Sequence, residues 1–186
     1  MSAKFEDRVV LVAGGTGGLG RAVTRAFLEE RAQVVVTYRA LGEFDALKSA
    51  AGANGSRLEG HAVDVTDEAA VRQLMEKIVG KYRRLDAMVS TVGGYAGGTK
   101  LWELETKVFE QMLALNLCSG YALSRAAVRA MLKEGHGAIV NVAAKAAVDH
   151  AAGAAAYAAS KSAAFMAPPS PFMEIAETFV QDVNPN

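Results

Sequence analysis

Short apolar runs rich in β-branched residues alternate along the chain with longer stretches in which apolar residues recur at helical spacing. The pattern predicts five strands, at 8–15, at 33–39, within 56–65, at 85–94 and at 137–144. The helical stretches between and after them predict helices at 19–31, 67–82, 103–133 and 154–166. Strands that alternate with helices indicate right-handed crossovers, and therefore a parallel sheet with helices on both faces.

The pattern changes after the last of these helices. Three prolines at 168–171 stop the helix, because proline removes a backbone donor and fixes φ. We therefore predict one domain over residues 1–186, in which 167–186 form an atypical C-terminal remnant with one more short helix. No sixth or seventh strand is predicted.

Composition and charge narrow the class of protein. The 186 residues are 51% apolar and 22% charged, which is typical of one globular domain. Twenty basic residues balance twenty acidic ones, which argues against nucleic acid as the main partner. No run approaches the roughly 20 apolar residues that span a bilayer. We expect a cytoplasmic protein with no membrane partner and no metal site.

The chain has a single cysteine, Cys118, which excludes an internal disulfide and fits a reducing compartment. It lies in a helical pattern, so we predict a small buried residue rather than a nucleophile.

A glycine-rich turn joins the first strand to the first helix. Gly14, Gly18 and Gly20 would let the backbone turn tightly and approach a pyrophosphate, while the helix N-terminus offers free N–H groups to the anion. This placement predicts nucleotide binding. The alternative is a tight turn between strand and helix with no ligand.

An alanine-rich helix carries the second candidate feature. Tyr157 and Lys161 are four residues apart, so the phenol and the ammonium share one helix face. The alternative is an incidental core tyrosine with a surface lysine.

Together these features resemble the short-chain dehydrogenase/reductase family over residues 8–164. The glycine spacing and Tyr157-x-x-x-Lys161 carry the resemblance, with Asp64-Val65, the turn at 90–94 and Asn116 as further landmarks. The resemblance implies a Rossmann-type, doubly wound parallel sheet in the order 3-2-1-4-5, with three α/β/α layers. The implied cofactor-binding residues are Gly14, Thr16, Gly18, Leu19, Gly20, Tyr38, Arg39, Asp64, Val65, Gly93, Tyr157 and Lys161.

The same resemblance implies an NAD(P)H-dependent oxidoreductase of small molecules. Tyr157 would exchange a proton with the substrate as hydride moves. A phenol near pKa 10 is a poor acid–base group at neutral pH, so Lys161 is expected to favour the phenolate and to hold the nicotinamide ribose. Asn116 would support the lysine through a backbone carbonyl and a water.

One residue departs from the family pattern at the reacting centre. Most members have a serine thirteen positions before the tyrosine, but this chain has Ala144, preceded by Ala143. Loss of one donor to a developing oxyanion can cost about 3 kcal/mol. The substrate is therefore either a small carbonyl compound with weakened chemistry or a quinonoid dihydropterin, which needs no such donor.

The local sequences at 92–98 and 143–150 resemble those of the dihydropteridine reductase branch, whose members lack the serine. A different class of function stays open as well: nucleotide binding with lost or weak catalysis. Lys145, Asp149 and His150 border the same loop, and we interpret them as solvated charges, with a stand-in donor as the alternative.

Cofactor choice depends on the end of the second strand. Tyr38 and Arg39 occupy these positions, where NAD-binding sites have a carboxylate that hydrogen-bonds the free ribose hydroxyls of NAD. Arginine offers a fork of donors to a 2′-phosphate, so NADP(H) is the preferred cofactor and NAD(H) the alternative. Dihydropteridine reductases often favour NADH, so the preference for NADP(H) argues against the resemblance to that branch.

The family also implies self-association and a longer C-terminal half. In family members, the helices that correspond to 103–133 and 154–166 usually pack against a partner subunit. We therefore expect a homodimer or homotetramer. Members usually continue with further strands and a substrate loop. Either the sequence omits a segment that the protein has, or the protein is a shortened variant that lacks it, and both alternatives stay open.

Overall fold

Five strands form one sheet, and all neighbouring strands run parallel. The computed structural model describes residues 3–149 and 152–166. The strands are β1 (Val9–Ala13), β2 (Gln33–Tyr38), β3 (Leu58–Ala62), β4 (Ala87–Ser90) and β5 (Ala138–Asn141). Their spatial order is β3-β2-β1-β4-β5, which confirms the predicted sheet and fold class.

Six α-helices connect and follow the strands in the described part of the chain. They are α1 (Gly18–Glu29), α2 (Leu41–Ala50), α3 (Glu68–Tyr82), α4 (Thr106–Leu113), α5 (Ser119–Glu134) and α6 (Ala155–Met166). Short 3₁₀ turns add Gly52–Arg57, Leu101–Glu103 and Lys145–Ala147. The acidic start predicted for the helix at 67–82 is a cap, since the side chain of Asp67 accepts hydrogen bonds from Ala69 N and Ala70 N.

The central strand divides the interior into two cores. Alternate side chains of a strand point to opposite faces, so Val9 and Leu11 belong to one core and Val10 and Val12 to the other. The first core contains buried residues of α3 and α5, and the second contains buried residues of α1 and α2. A strand covered on both faces explains the continuous apolar run from which β1 was predicted.

The helix predicted over 103–133 is interrupted. A π-helical turn, Ala114–Cys118, joins α4 to α5. A π turn holds an extra residue, so it rotates the side chains that follow it. Asn116 and Ser119 therefore face the interior, with 5% and 1% of their surface exposed. Cys118 is exposed, so the prediction of a buried cysteine was wrong.

Parallel strands place all their carboxyl ends at one edge of the sheet, where ligands of open α/β sheets bind. That edge carries the ends of β1, β2, β4 and β5. No helix within residues 3–149 and 152–166 is both long enough and apolar enough to cross a membrane. The remnant predicted for 167–186 and the candidate His150 lie outside the described residues.

Candidate active site

The glycine turn leaves β1 in a conformation that requires glycine. Gly14 has φ +76°, in the region that side-chain-bearing residues rarely adopt. A Cβ on Gly20 would overlap the carbonyl oxygen of Gly14, so the absent side chain lets α1 lie against the turn. The residue before α1 is Gly17, and the first N–H groups of a helix have no intrahelical acceptor. This cradle fits the pyrophosphate of a dinucleotide.

The turn is held against the ends of two neighbouring strands. Gly14 N donates to the hydroxyl of Thr37 on β2 at 2.8 Å, and the hydroxyl of Thr91, just after β4, donates to Ala13 O at 2.8 Å. A Cβ placed on Gly14 would lie 3.1 Å from the side chain of Val92. The glycine turn and the turn after β4 are therefore in contact.

The turn after β4 continues towards the helix that carries the tyrosine and the lysine. A Cβ on Gly93 would lie 2.9 Å from Asn116 Oδ1 and 3.1 Å from Lys161 Nζ. Asn116 Nδ2 also donates to the hydroxyl of Ser160 at 3.0 Å. Three predicted site residues, distant in sequence, thus meet at one point.

Lys161 is buried, with 6% of its surface exposed. Its ammonium donates to the carbonyl oxygen of Val142, at the end of β5, over 3.2 Å. Burial lowers the pKa of Lys161, because desolvation disfavours the charged form. An ammonium has three donors, and a buried one is stabilised by each further acceptor that reaches it.

Tyr157 precedes the lysine by one turn of α6 and is half-buried. Burial and the nearby Tyr95 raise the pKa of the Tyr157 phenol. This direction is opposite to the one expected from Lys161, whose ammonium donates to Val142 O. The raised pKa favours the protonated phenol.

Tyr95 was not among the residues proposed from the sequence. Its ring meets the ring of Tyr157 edge to face, with the centroids 5.0 Å apart. The signal available in the sequence was its position, two residues after Gly93 in a turn already assigned to the site.

The residues predicted at the adenosine end lie around the carboxyl end of β2. Tyr38 stacks on Phe44 with ring centroids 5.1 Å apart. Asp64 Oδ1 accepts from the hydroxyl and the backbone N–H of Thr66, and these bonds, aided by the charge of Arg39, lower the pKa of Asp64. Arg39 is exposed and directly follows β2.

Three further predicted residues have distinct surroundings. The hydroxyl of Thr16 donates to Glu43 Oε2 at 3.0 Å, which brings a carboxylate of α2 to the glycine turn. Leu19 is half-buried. Val65 is buried in the core, so it could contact a cofactor through its backbone and not through its side chain.

The loop after β5 contains the alanine that replaces the usual serine. Ala144 is extended and half-buried, and its side chain has no hydroxyl to donate. Lys145 Nζ and Asp149 Oδ2 lie 3.9 Å apart, and both side chains are more than half exposed. This pair fits the interpretation of the loop charges as solvated.

Several known proteins are similar to this chain. The family model described as short chain dehydrogenase matches residues 8–184. The 3-oxoacyl-(acyl-carrier-protein) reductase FabG of Escherichia coli is 30% identical over 138 residues, which cover 74% of this chain and 55% of that protein. The short chain dehydrogenase/reductase dpmpG of Macrophomina phaseolina is 34% identical over 151 residues, covering 78% and 85% respectively.

Solved structures agree with this fold. ElxO with NADP bound superposes with a TM-score of 0.80 at 29% identity, covering 84% of this chain and 63% of that one. A metagenomic short-chain oxidoreductase in complex with NADP reaches 0.87 at 27% identity, covering 95% and 81%. The chain spans about half the length of several curated relatives that it matches, with 55% coverage of two of them.

Proposed function

This chain belongs to the short-chain dehydrogenase/reductase family, and we propose that it is an NADP(H)-dependent oxidoreductase that reduces a small carbonyl compound or a quinonoid dihydropterin. The observation that carries the proposal is the buried ammonium of Lys161 beside Gly93, one helical turn after Tyr157. Among the described residues, the ammonium of Lys161 donates to one carbonyl oxygen, that of Val142. A buried ammonium of this kind is suited to donate further hydrogen bonds to the hydroxyls of a cofactor ribose.

Each group has a role that its surroundings support. The glycine turn and the start of α1 would bind the pyrophosphate, and Asn116 would hold the turn after β4 in place for the ribose. When bound, the reduced dinucleotide supplies the hydride. Tyr157 donates the proton that balances the added hydride, and its raised pKa keeps that proton on the phenol at neutral pH. Lys161 would orient the ribose and stabilise the phenolate left behind.

Two observations favour NADP(H) over NAD(H). Arg39 provides a cation at the end of β2, and the similar structures of ElxO and the metagenomic oxidoreductase contain NADP. Arginine forms strong charge-assisted hydrogen bonds with phosphate.

A second candidate function is nucleotide binding without efficient turnover. Ala144 favours it, because the donor that most family members direct at the reacting oxygen is missing from that position. The same residue favours a quinonoid dihydropterin among the substrates, since protonation at nitrogen needs little oxyanion stabilisation.

The two candidates are separated by measuring binding and turnover on the same protein. NADPH fluorescence titration reports binding, and NADPH oxidation is followed with a ketone panel and with a quinonoid dihydropterin. We expect binding with turnover, and we expect Tyr157→Phe to abolish most turnover while it retains binding. Tyr121→Phe, at an exposed tyrosine of α5, is the matched control. Binding without turnover on every substrate supports the second candidate.

A further inference from the structure

We propose that Tyr95 is the second hydrogen-bond donor to the reacting atom of the substrate, in place of the side chain that Ala144 lacks. This inference rests on the proposed function and adds to it a residue that the family pattern does not contain. The inference depends on three observations: the contact between the two tyrosine rings, the missing side chain at Gly97, and the hydrogen bonds that the neighbouring hydroxyls already form.

The two phenols belong to one site. Their rings are in edge-to-face contact, with the centroids 5.0 Å apart, although Tyr95 and Tyr157 are 62 positions apart in the chain. Tyr95 acts electrostatically on Tyr157, since it contributes to the raised pKa of that phenol. A substrate atom that accepts the proton of Tyr157 would therefore lie next to the ring of Tyr95.

The hydroxyl of Tyr95 has a defined position. A Cβ on Gly97 would overlap the Tyr95 hydroxyl oxygen, so the ring can fold over this residue because it is glycine. The next residue, Gly98, donates from its N–H to Gly153 O at 2.9 Å, which ties the loop to the segment that leads into α6. The loop is thus fastened to the segment that precedes α6, the helix that carries Tyr157.

Other hydroxyls near the site are already engaged. Ser160 is fully buried, donates to the carbonyl of Tyr157 at 2.8 Å and accepts from Asn116. Thr91 donates to the backbone of β1. Tyr95 is 70% exposed, and its ring touches the ring of Tyr157. A tyrosine hydroxyl is an effective donor to a developing oxyanion.

The chemistry balances with this assignment. For a carbonyl substrate, the carbonyl carbon gains the hydride and the oxygen gains the proton of Tyr157. Tyr95 keeps its own proton and donates a hydrogen bond to the oxygen as negative charge develops. Its contribution is therefore expected in kcat rather than in KM.

The test measures NADPH-dependent reduction of 9,10-phenanthrenequinone, a planar and reactive dicarbonyl, at saturating NADPH. We expect Tyr95→Phe to lower kcat by about tenfold or more with KM within about twofold. Ala144→Ser should restore most of that loss in the Tyr95→Phe background and should change the parent enzyme by less than about threefold. Gly97→Ala, which displaces the hydroxyl without removing it, should lower kcat in the same direction.

Unchanged kcat in Tyr95→Phe would overturn the assignment, as would an equal gain from Ala144→Ser in both backgrounds. A loss of kcat that Ala144→Ser does not restore would also overturn it, since it indicates a structural role. Turnover that is lost in Tyr157→Phe but kept in Tyr95→Phe leaves the proposed function standing and removes only the role of Tyr95. Absence of turnover in the parent protein on this quinone, on the ketone panel and on a quinonoid dihydropterin, with NADPH bound, would overturn both.

Discussion

Asn116 clamps the backbone of Gly94 from both sides: its Oδ1 accepts from Gly94 N at 2.9 Å, and its Nδ2 donates to Gly94 O at 3.0 Å. The asparagine is buried in the π turn, and its amide also reaches Ser160 on α6. A single side chain thus joins the turn after β4, the helix pair α4–α5 and the helix that carries Tyr157.

We expect Asn116→Ala to lower the free energy of unfolding by roughly 1–3 kcal/mol, because it leaves half-buried backbone groups of Gly94 without their Asn116 partner. Asn116→Asp keeps the acceptor and loses the donor. It is expected to weaken NADPH binding and to lower the free energy of unfolding by an amount that differs from that of Asn116→Ala. Urea unfolding and NADPH titration check the two variants. Stability and cofactor affinity both equal to those of the parent would contradict the clamp.

The pH dependence of activity should report the Tyr95–Tyr157 contact. Reduction needs protonated Tyr157, and its pKa is raised by burial and by Tyr95, so kcat/KM for reduction should stay high through neutral pH and fall only at strongly alkaline pH. Tyr95→Phe removes one cause of the raised pKa, so the alkaline limb should move to lower pH. Profiles of the parent, Tyr95→Phe and the control Tyr121→Phe check this, and an unmoved limb in Tyr95→Phe would refute it.

Cofactor preference should depend on Arg39. NADPH is expected to bind more tightly than NADH, and Arg39→Asp is expected to reverse the order by roughly tenfold or more, because a phosphate partner is replaced by a repelling carboxylate. Arg25→Asp, at an exposed arginine of α1, controls for the change of net charge. Fluorescence titration of both cofactors provides the measurement, and equal affinities in the parent would count against the role of Arg39.

Acid stability should depend on Glu59 on the edge strand β3. Burial by itself would raise the pKa of Glu59, but hydrogen bonds from Lys81, Tyr82 and His61 outweigh it and lower the pKa from 4.5 to about 2. A lowered folded-state pKa stabilises the fold above pH 4.5, and this contribution is lost as pH falls towards about 2. Glu59→Gln should therefore flatten the fall in unfolding free energy over that interval.

Urea unfolding at a series of pH values measures the effect of Glu59→Gln. Glu76→Gln, at an exposed glutamate of α3, is the control. Parallel curves for the parent and Glu59→Gln between these pH values would show that the network contributes nothing.

We expect at least a dimer, since α4 and α5 expose large apolar side chains, among them Phe109, Tyr121 and Leu132. Light scattering at micromolar concentration measures the mass. Tyr121→Glu should reduce it, whereas Leu41→Glu, at an equally exposed site on α2, should not. A mass of one chain in the parent protein would rule out this association.

Local pattern was sufficient for the elements of the fold and for pairs of residues within one element. The apolar runs predicted β1, β2 and β4, because a strand buried on both faces must be apolar throughout. The glycine turn followed from its position between a strand and a helix, and the spacing of Tyr157 and Lys161 placed both on one helix face. Each of these inferences needs only neighbours in the chain.

Tertiary packing decided the relationships between distant residues. The hydrogen bond from Lys161 to Val142 O depends on where β5 ends relative to α6, and the raised pKa of Tyr157 depends on its burial and on Tyr95. The exposure of Cys118 depends on a π turn that the apolar spacing did not indicate. Tyr95 reaches Tyr157 because the loop folds over Gly97 and is fastened at Gly98. A loop has no periodicity that reports its path, so its contacts are set by the packing of the elements that it joins.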